Sequence, residues 1–238
     1  MAALEPSNQD KAAQVRAMFS AIAPRYDLLN RLLSLGLDTR WRDEAVRVGL
    51  EHRPKRILDV ATGTADVALA LKRAKPDAEV IGVDFAEPML AIGRKKAARE
   101  GLDVALMHGD GMALPFPEER FDLVTIAYGL RNFSSIERGL AEFNRVLAPG
   151  GRLIVLEFPP PPAGLVGDAF RLYFLHLLPH LGRFISGHPE AYRYLPDSVM
   201  AFPEPRALAA TMHRAGFARV RYRLQSMGVS ALYAADKT

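Results

Sequence analysis

Asp59, Asp84 and Asp110 follow one another at intervals of 25 and 26 residues, each at or near the end of a short apolar run: RILDVA, AEVIGVD and VALMHGD. Carboxylates delivered to neighbouring strand ends suit a nucleoside. Asp84 is placed to accept both ribose hydroxyls and Asp110 to accept from an adenine amino group, with Gly111 and Met112 passing the ring. The first run continues into TGTAD, with Gly63 where the backbone must pass a ligand closely. A fourth run, FDLVTIA, gives way abruptly to YGLRNF. An apolar strand has no structural need for Arg131 and Asn132 at its exit, so this pair is the candidate for substrate chemistry.

These residues need a scaffold that collects strand ends. Residues 11–50 carry apolar positions at helical spacing, around Val15, Met18, Phe19 and Ile22, then Leu28, Leu29, Leu32 and Leu33, then Trp41, Ala45 and Val48. From residue 56 onward, β-rich runs at 56–61, 78–84, 104–110, 121–127 and 151–158 alternate with helical stretches. That alternation predicts right-handed crossovers and a parallel sheet covered on both faces. Pro149-Gly150-Gly151 punctuates the step from the last of these helices to its strand. PPPP at 159–162 opens an insertion rich in aromatics and histidines, and a helix over 204–215 leads to a closing hairpin across Met227-Gly228. The expected architecture is an α/β doubly wound sheet of five parallel strands plus a terminal antiparallel pair. The divisions are an N-terminal helical cap (1–50), a cofactor-binding core (55–158), a lid insertion (159–200) and a C-terminal helix with hairpin (201–238), within one domain.

Two cofactor classes share such a sheet. A dinucleotide sets its pyrophosphate on the first helix N-terminus, with G-x-G-x-x-G in the turn. Here that pattern is missing, and Asp59 and Asp66 flank the turn instead. S-adenosylmethionine carries a sulfonium and an ammonium and no phosphate, so acids nearby attract it. The residue pattern therefore favours the methyl donor over a nicotinamide dehydrogenase.

Composition narrows the rest. The 238 residues hold no cysteine, which excludes disulfides, thiolate metal sites and cysteine nucleophiles. His176 and His180 lie four apart on an apolar stretch without a third ligand, and no metal site is expected. The net charge of +4 is spread along the chain and reads first as solvated faces; without an aromatic-interleaved basic patch nucleic acid is not an expected partner, and attraction to an anionic membrane surface is the better minority reading. No signal sequence or spanning segment is evident, giving an expected cytoplasmic location, with peripheral contact at the inner face of the cytoplasmic membrane; self-association is left open.

Several stretches together resemble the UbiE/MenG C-methyltransferases of menaquinone and ubiquinone biosynthesis, within the class I S-adenosylmethionine-dependent, Rossmann-like enzymes. They are YDLLNRLLSLGLDTRW (26–41), LDVATGTAD, GDGMALPFPEERFDLVTIAYGLRN (109–132), RVLAPGGRLIVLEF (145–158) and YRYLPDSV (192–199). The chain departs from that pattern at Leu29, Asp38, Ala65, Ala148 and Pro159. Ala65 replaces the last glycine of the turn, where a methyl group is expected to crowd the cofactor or demand a negative φ. The resemblance implies S-adenosylmethionine contacts at Thr64, Asp84, Asp110 and Gly111, and a polyprenylated quinol substrate at Arg131 and Asn132. The implied reaction is methylation of a ring carbon, most directly demethylmenaquinol to menaquinol. Methylation of the 2-polyprenyl-6-methoxy-1,4-benzoquinol precursor of ubiquinone and a catalytically silent quinone carrier stay as alternatives. Arg131 is suited to stabilise a phenolate, not to act as base, because its pKa exceeds about 12. Base candidates are Tyr26, Asp27 and His188, of which Tyr26 and Asp27 are better suited to shaping the site. The apolar face from Leu165 to Phe184 (Phe170, Tyr173, Phe174, Leu177, Leu178, Leu181) is expected to pack as a lid, shelter an isoprenoid tail or dock at a bilayer.

Overall fold

The computed structural model describes residues 8–162, 164–172 and 189–238. Three helices lead, α1 (Asn8–Ile22), α2 (Tyr26–Leu33) and α3 (Leu37–Gly49). The alternating part follows as β1 (Arg56–Val60), α4 (Asp66–Ala74), β2 (Glu79–Asp84), α5 (Glu87–Glu100), β3 (Ala105–His108), β4 (Phe121–Ala127), α6 (Ile136–Val146) and β5 (Leu147–Glu157). Then come α7 (Leu165–Leu172), α8 (Pro189–Met200), α9 (Pro205–Arg214), β6 (Phe217–Gln225) and β7 (Ser230–Lys237). The helix boundaries have local causes. Ser135 caps α6 by accepting the Arg138 N–H at 3.2 Å, and Gly101 ends α5 in the left-handed region at φ 64°.

The seven strands form one sheet in the order β3-β2-β1-β4-β5-β7-β6. The first five are parallel; β7 runs antiparallel to β5 and β6 antiparallel to β7. Successive side chains in a strand point to opposite faces, so Leu58 and Val60 enter one core layer with Phe143 and Met212, while Ile57 enters the other with Trp41 and Leu71. Both faces are covered, which is why the central strands read as almost continuous apolar runs. The order reverses at β1, between β2 and β4, and this switch point opens a crevice at the carboxyl ends.

The fifth strand differs from the sequence-based expectation. β5 begins at Leu147, not at Gly151, and its register against β4 shifts between Phe121↔Leu147 and Leu123↔Arg152. Pro149-Gly150-Gly151 thus lies within an irregularity of the strand, where Gly150 takes φ 74°. Tyr173, Phe174, His176, Leu177, Leu178, His180, Leu181, Arg183, Phe184 and His188 fall outside the described residues.

Candidate active site

The turn after β1 is built on left-handed residues: Ala61 at φ 51°, Gly63 at φ 57° and Ala65 at φ 68°. A Cβ on Gly63 would meet nothing nearer than Tyr26 Cε1 at 3.9 Å, so the space over this glycine is an open cradle for a ligand. Ala65 adopts the positive φ that an alanine disfavours, at a cost of about 1–2 kcal/mol. Its methyl is buried toward Gly93 of α5 and does not face the cleft. The expected crowding or negative φ at this position is not what the chain adopts.

Beside the turn lies a cleft of about 110 Å³. Asp84, Asp110, Gly111, Met112 and Asn132 line it, with Val15 and Arg16 of α1, Phe85, His108, Phe133 and Ser134 among the other walls. Asp84 accepts the Gly63 and Ala86 N–H groups at 2.8 Å each, leaving further lone pairs for a diol. Burial raises its pKa, opposed by those backbone donors. Asp110 accepts the Met112 N–H at 2.8 Å, which folds the loop around Gly111. A Cβ on Gly111 would lie 2.5 Å from Phe133 Cζ and 2.8 Å from Val60 Cγ1, so only glycine fits.

The structure moves other expected contacts off the cleft. Asp59 is 1% exposed beneath the turn, accepting the Thr62 and Thr125 hydroxyls at 2.6 Å each. Burial, only partly offset by those hydroxyls, pushes its pKa up to about 6. It braces the turn from below. Thr64 is also buried, its hydroxyl donating to Asp27 at 2.6 Å and accepting from Lys96 at 3.0 Å. Asp66 pairs with Lys96 at 2.6 Å and with Arg42 at 2.9 Å, so its charge is answered within the protein. The acids left facing the cleft are Asp84 and Asp110, and any attraction for a cationic ligand rests on these two.

Tyr26 stands over the cofactor turn, edge-on to Phe19 with ring centroids 6.0 Å apart. Burial raises its phenol pKa, which keeps it protonated and unsuited to removing a proton. Asp27 is held by Lys96 and Thr64, so it too is a structural carboxylate.

Arg131 and Asn132 belong to a 3₁₀ turn, Leu130–Asn132, beyond β4. The preceding Tyr128 holds φ 58°, an outlier for a bulky residue, and this aims its carbonyl at both side chains. It accepts from Arg131 Nη1 at 2.6 Å and from Asn132 Nδ2 at 3.4 Å. Gly129 has an ordinary φ of −110°, so its freedom to turn is not used. What it supplies is clearance, since a Cβ there would lie 2.5 Å from the Ala61 methyl of the cofactor turn.

Two partners were not visible in the sequence pattern. Glu157, 0% exposed at the end of β5, pairs with Arg131 at 2.6 Å. The Arg131 side chain is 7% exposed and lies over the Phe158 ring at 5.7 Å, while its Nε–H is buried with no partner among the described residues. Tyr194 of α8 donates its hydroxyl to Asn132 Oδ1 at 3.0 Å. The Tyr128 carbonyl can only accept, so it orients the amide with Nδ2 toward itself and Oδ1 toward Tyr194. The signal for Glu157 was its place at a fifth strand exit, in LEF; for Tyr194 there was only its motif, YRYLPDSV. A second cleft of about 400 Å³ opens on the far side of Phe133, bordered by Arg131, Tyr194 and Phe202.

A seven-stranded sheet with a reversed last strand, a ligand cradle at its switch point and carboxylates at the next two strand exits defines a Rossmann-like protein of the S-adenosylmethionine-dependent methyltransferase fold. A crystal structure from Thermotoga maritima, named as an S-adenosylmethionine-dependent methyltransferase, shares it with a TM-score of 0.68 at 20% identity, covering 93% of this chain and 99% of that one. Residues 7–237 match the model of the ubiE/COQ5 methyltransferase family, and the chain belongs to that family. Among its relatives, a protein of Thermus thermophilus named demethylmenaquinone methyltransferase is 61% identical over 92% of this chain and 100% of its own length. One of the same name from Deinococcus radiodurans is 52% identical over 96% of this chain and 95% of its own.

Proposed function

We propose that the protein methylates a ring carbon of demethylmenaquinol, using S-adenosylmethionine, to give menaquinol. The observation that carries this reading is the fixed cluster of Arg131, Glu157 and Asn132 at the edge of the nucleoside cleft. The residues present fit the cofactor: Asp84 for the ribose diol, Asp110 with Gly111 and Met112 for the base, and the cradle over Gly63 for the remainder. When bound, S-adenosylmethionine supplies an electrophilic methyl group.

A ring carbon is a weak nucleophile until the adjacent hydroxyl is deprotonated. Arg131 favours that ionisation through its guanidinium charge, and Asn132, with Oδ1 held by Tyr194, presents a remaining amide N–H to the second oxygen. Glu157 compensates the guanidinium charge, so the pair acts as a fixed dipole and not as a bare cation. The hydroxyl proton passes to water, the carbon–methyl bond forms as the sulfur–methyl bond breaks, and the ring carbon then loses its hydrogen while the oxygen regains one. One proton is released overall. Among the described residues no helix is long and apolar enough to cross a membrane, so a quinol with an isoprenoid tail would be met at the surface, at the inner face of the cytoplasmic membrane.

The test is transfer of labelled methyl from S-adenosylmethionine to reduced demethylmenaquinone, with the benzoquinol precursor of ubiquinone run beside it. Arg131→Lys keeps a charge opposite Glu157 but loses the planar guanidinium fixed by Glu157 and the Tyr128 carbonyl, and is expected to lower kcat about 100-fold with cofactor affinity unchanged. No transfer to the naphthoquinol by the native protein, or equal losses of kcat and cofactor binding in the variant, contradicts the proposal.

A further inference from the structure

Helix α2 presents two unlike faces. Tyr26 reaches over the cofactor turn and Asp27 is engaged by Lys96 and Thr64, yet Leu28 and Leu32, one turn apart, are 55% and 48% exposed. Leu35, in the turn that follows, is 85% exposed and holds φ 52°. A leucine gains nothing from that backbone region and nothing from solvent, so neither conformation nor packing accounts for it. Arg31, between Leu28 and Leu32 on the same helix, is exposed, as is Arg40 in the first turns of α3, the next helix.

A second exposed apolar residue stands at the same end of the molecule. Met227, 77% exposed at φ 57°, tips the turn between β6 and β7. The pairing of Ala231 with Glu157 puts that turn at the carboxyl edge of the sheet, where the cleft opens. The Trp41 indole N–H, donating to Ser226 at 2.9 Å, ties it to α3. Apolar side chains projecting among arginines match a bilayer surface bearing anionic headgroups, the apolar part for the acyl boundary and the cations for the phosphates.

We infer that Leu28, Leu32 and Leu35, with Arg31 and Arg40, form a membrane-docking surface that rests the mouth of the active site on an anionic lipid bilayer. The inference builds on the proposed lipid-quinol substrate: the helix that touches the interface with one face shapes the site with the other, so the quinol ring has a short path from bilayer to cleft.

The test is co-sedimentation of the full chain with vesicles of equal parts phosphatidylcholine and phosphatidylglycerol, with phosphatidylcholine vesicles as control. The native protein should bind the anionic vesicles, less as salt is raised. The triple variant Leu28→Ser, Leu32→Ser, Leu35→Ser should bind at least about tenfold more weakly. Equal binding by both proteins, or no binding by the native one, overturns the inference. So does a native dimer in sedimentation equilibrium that the variant abolishes, since the leucines would then be an interface between copies. Turnover on a short-tailed, water-soluble quinol should be the same for both proteins. Failure of that reaction in the native protein counts against the enzymatic reading and leaves the vesicle result to decide docking by itself.

Discussion

Asp59 shows how a residue beside the cleft can matter without facing it. Its two oxygens are spent on Thr62 and Thr125, hydroxyls that hold the cofactor turn to β1 and β4. The folded-state pKa lies above the ordinary 3.8, at about 6, so folding favours the protonated form. The sign follows directly: Asp59 is least costly below pH 4, and the protein loses stability as pH rises through that window, by about 3 kcal/mol in the limit. Asp59→Asn, which is neutral throughout, should flatten this dependence. Urea denaturation at pH 4.5 and 7.5 checks it; parallel stability changes in native and variant proteins would show that the carboxyl is not the source.

Between elements, the contact that matters most for the site is the close passage of the β4 exit over the β1 turn. Gly129 and Ala61 meet there with no room for a second methyl group. Gly129→Ala should therefore destabilise by about 1–3 kcal/mol and weaken cofactor binding, because the cofactor turn must shift. Ala61 sits at φ 51°, a conformation glycine accepts freely, so adding Ala61→Gly should restore most of both. Thermal unfolding and calorimetric titration with S-adenosylmethionine would reveal the rescue; independent, additive losses would show that the two residues do not share the space. A glycine at a strand exit looks alike in sequence whether it supplies a positive φ or an absent side chain.

Across the whole molecule, α2 and α3 are fastened to the alternating core by charge as well as by the apolar packing of α3. Lys96 of α5 lies between Asp27 of α2 and Asp66 of α4, at 2.5 and 2.6 Å, and Arg42 of α3 bridges Asp66 to the buried Asp38. This network ties to one another the helix carrying Tyr26, the turn carrying Thr64 and the helix that opens behind it. Lys96→Met should cost about 2 kcal/mol, because two partly buried carboxylates and a hydroxyl lose a shared donor. Amide exchange in α2 should rise more than in β1, and cofactor affinity should fall with it. A uniform rise across the sheet would mean that Lys96 supports the core as a whole.

Much of this architecture is legible in local pattern. Apolar runs separated by helical stretches predict the five parallel strands, and Gly216 with the alternating segments after it predicts the closing pair, because each signal lies within a few residues of what it specifies. That Asp84 and Asp110 share one cleft is readable for the same reason: a parallel sheet carries all its strand exits to one edge. Depth and pairing are not local. Asp59 and Asp84 look equivalent in sequence, yet one lies under the turn and the other in the cleft, because the register sets Asp59 opposite Gly82, two residues deeper than Asp84 from the carboxyl edge of the sheet. Arg131 and Glu157 are 26 residues apart, and Asn132 and Tyr194 are 62 apart. Their meeting depends on β4 and β5 lying side by side and on α8 folding back over the site, which no spacing encodes.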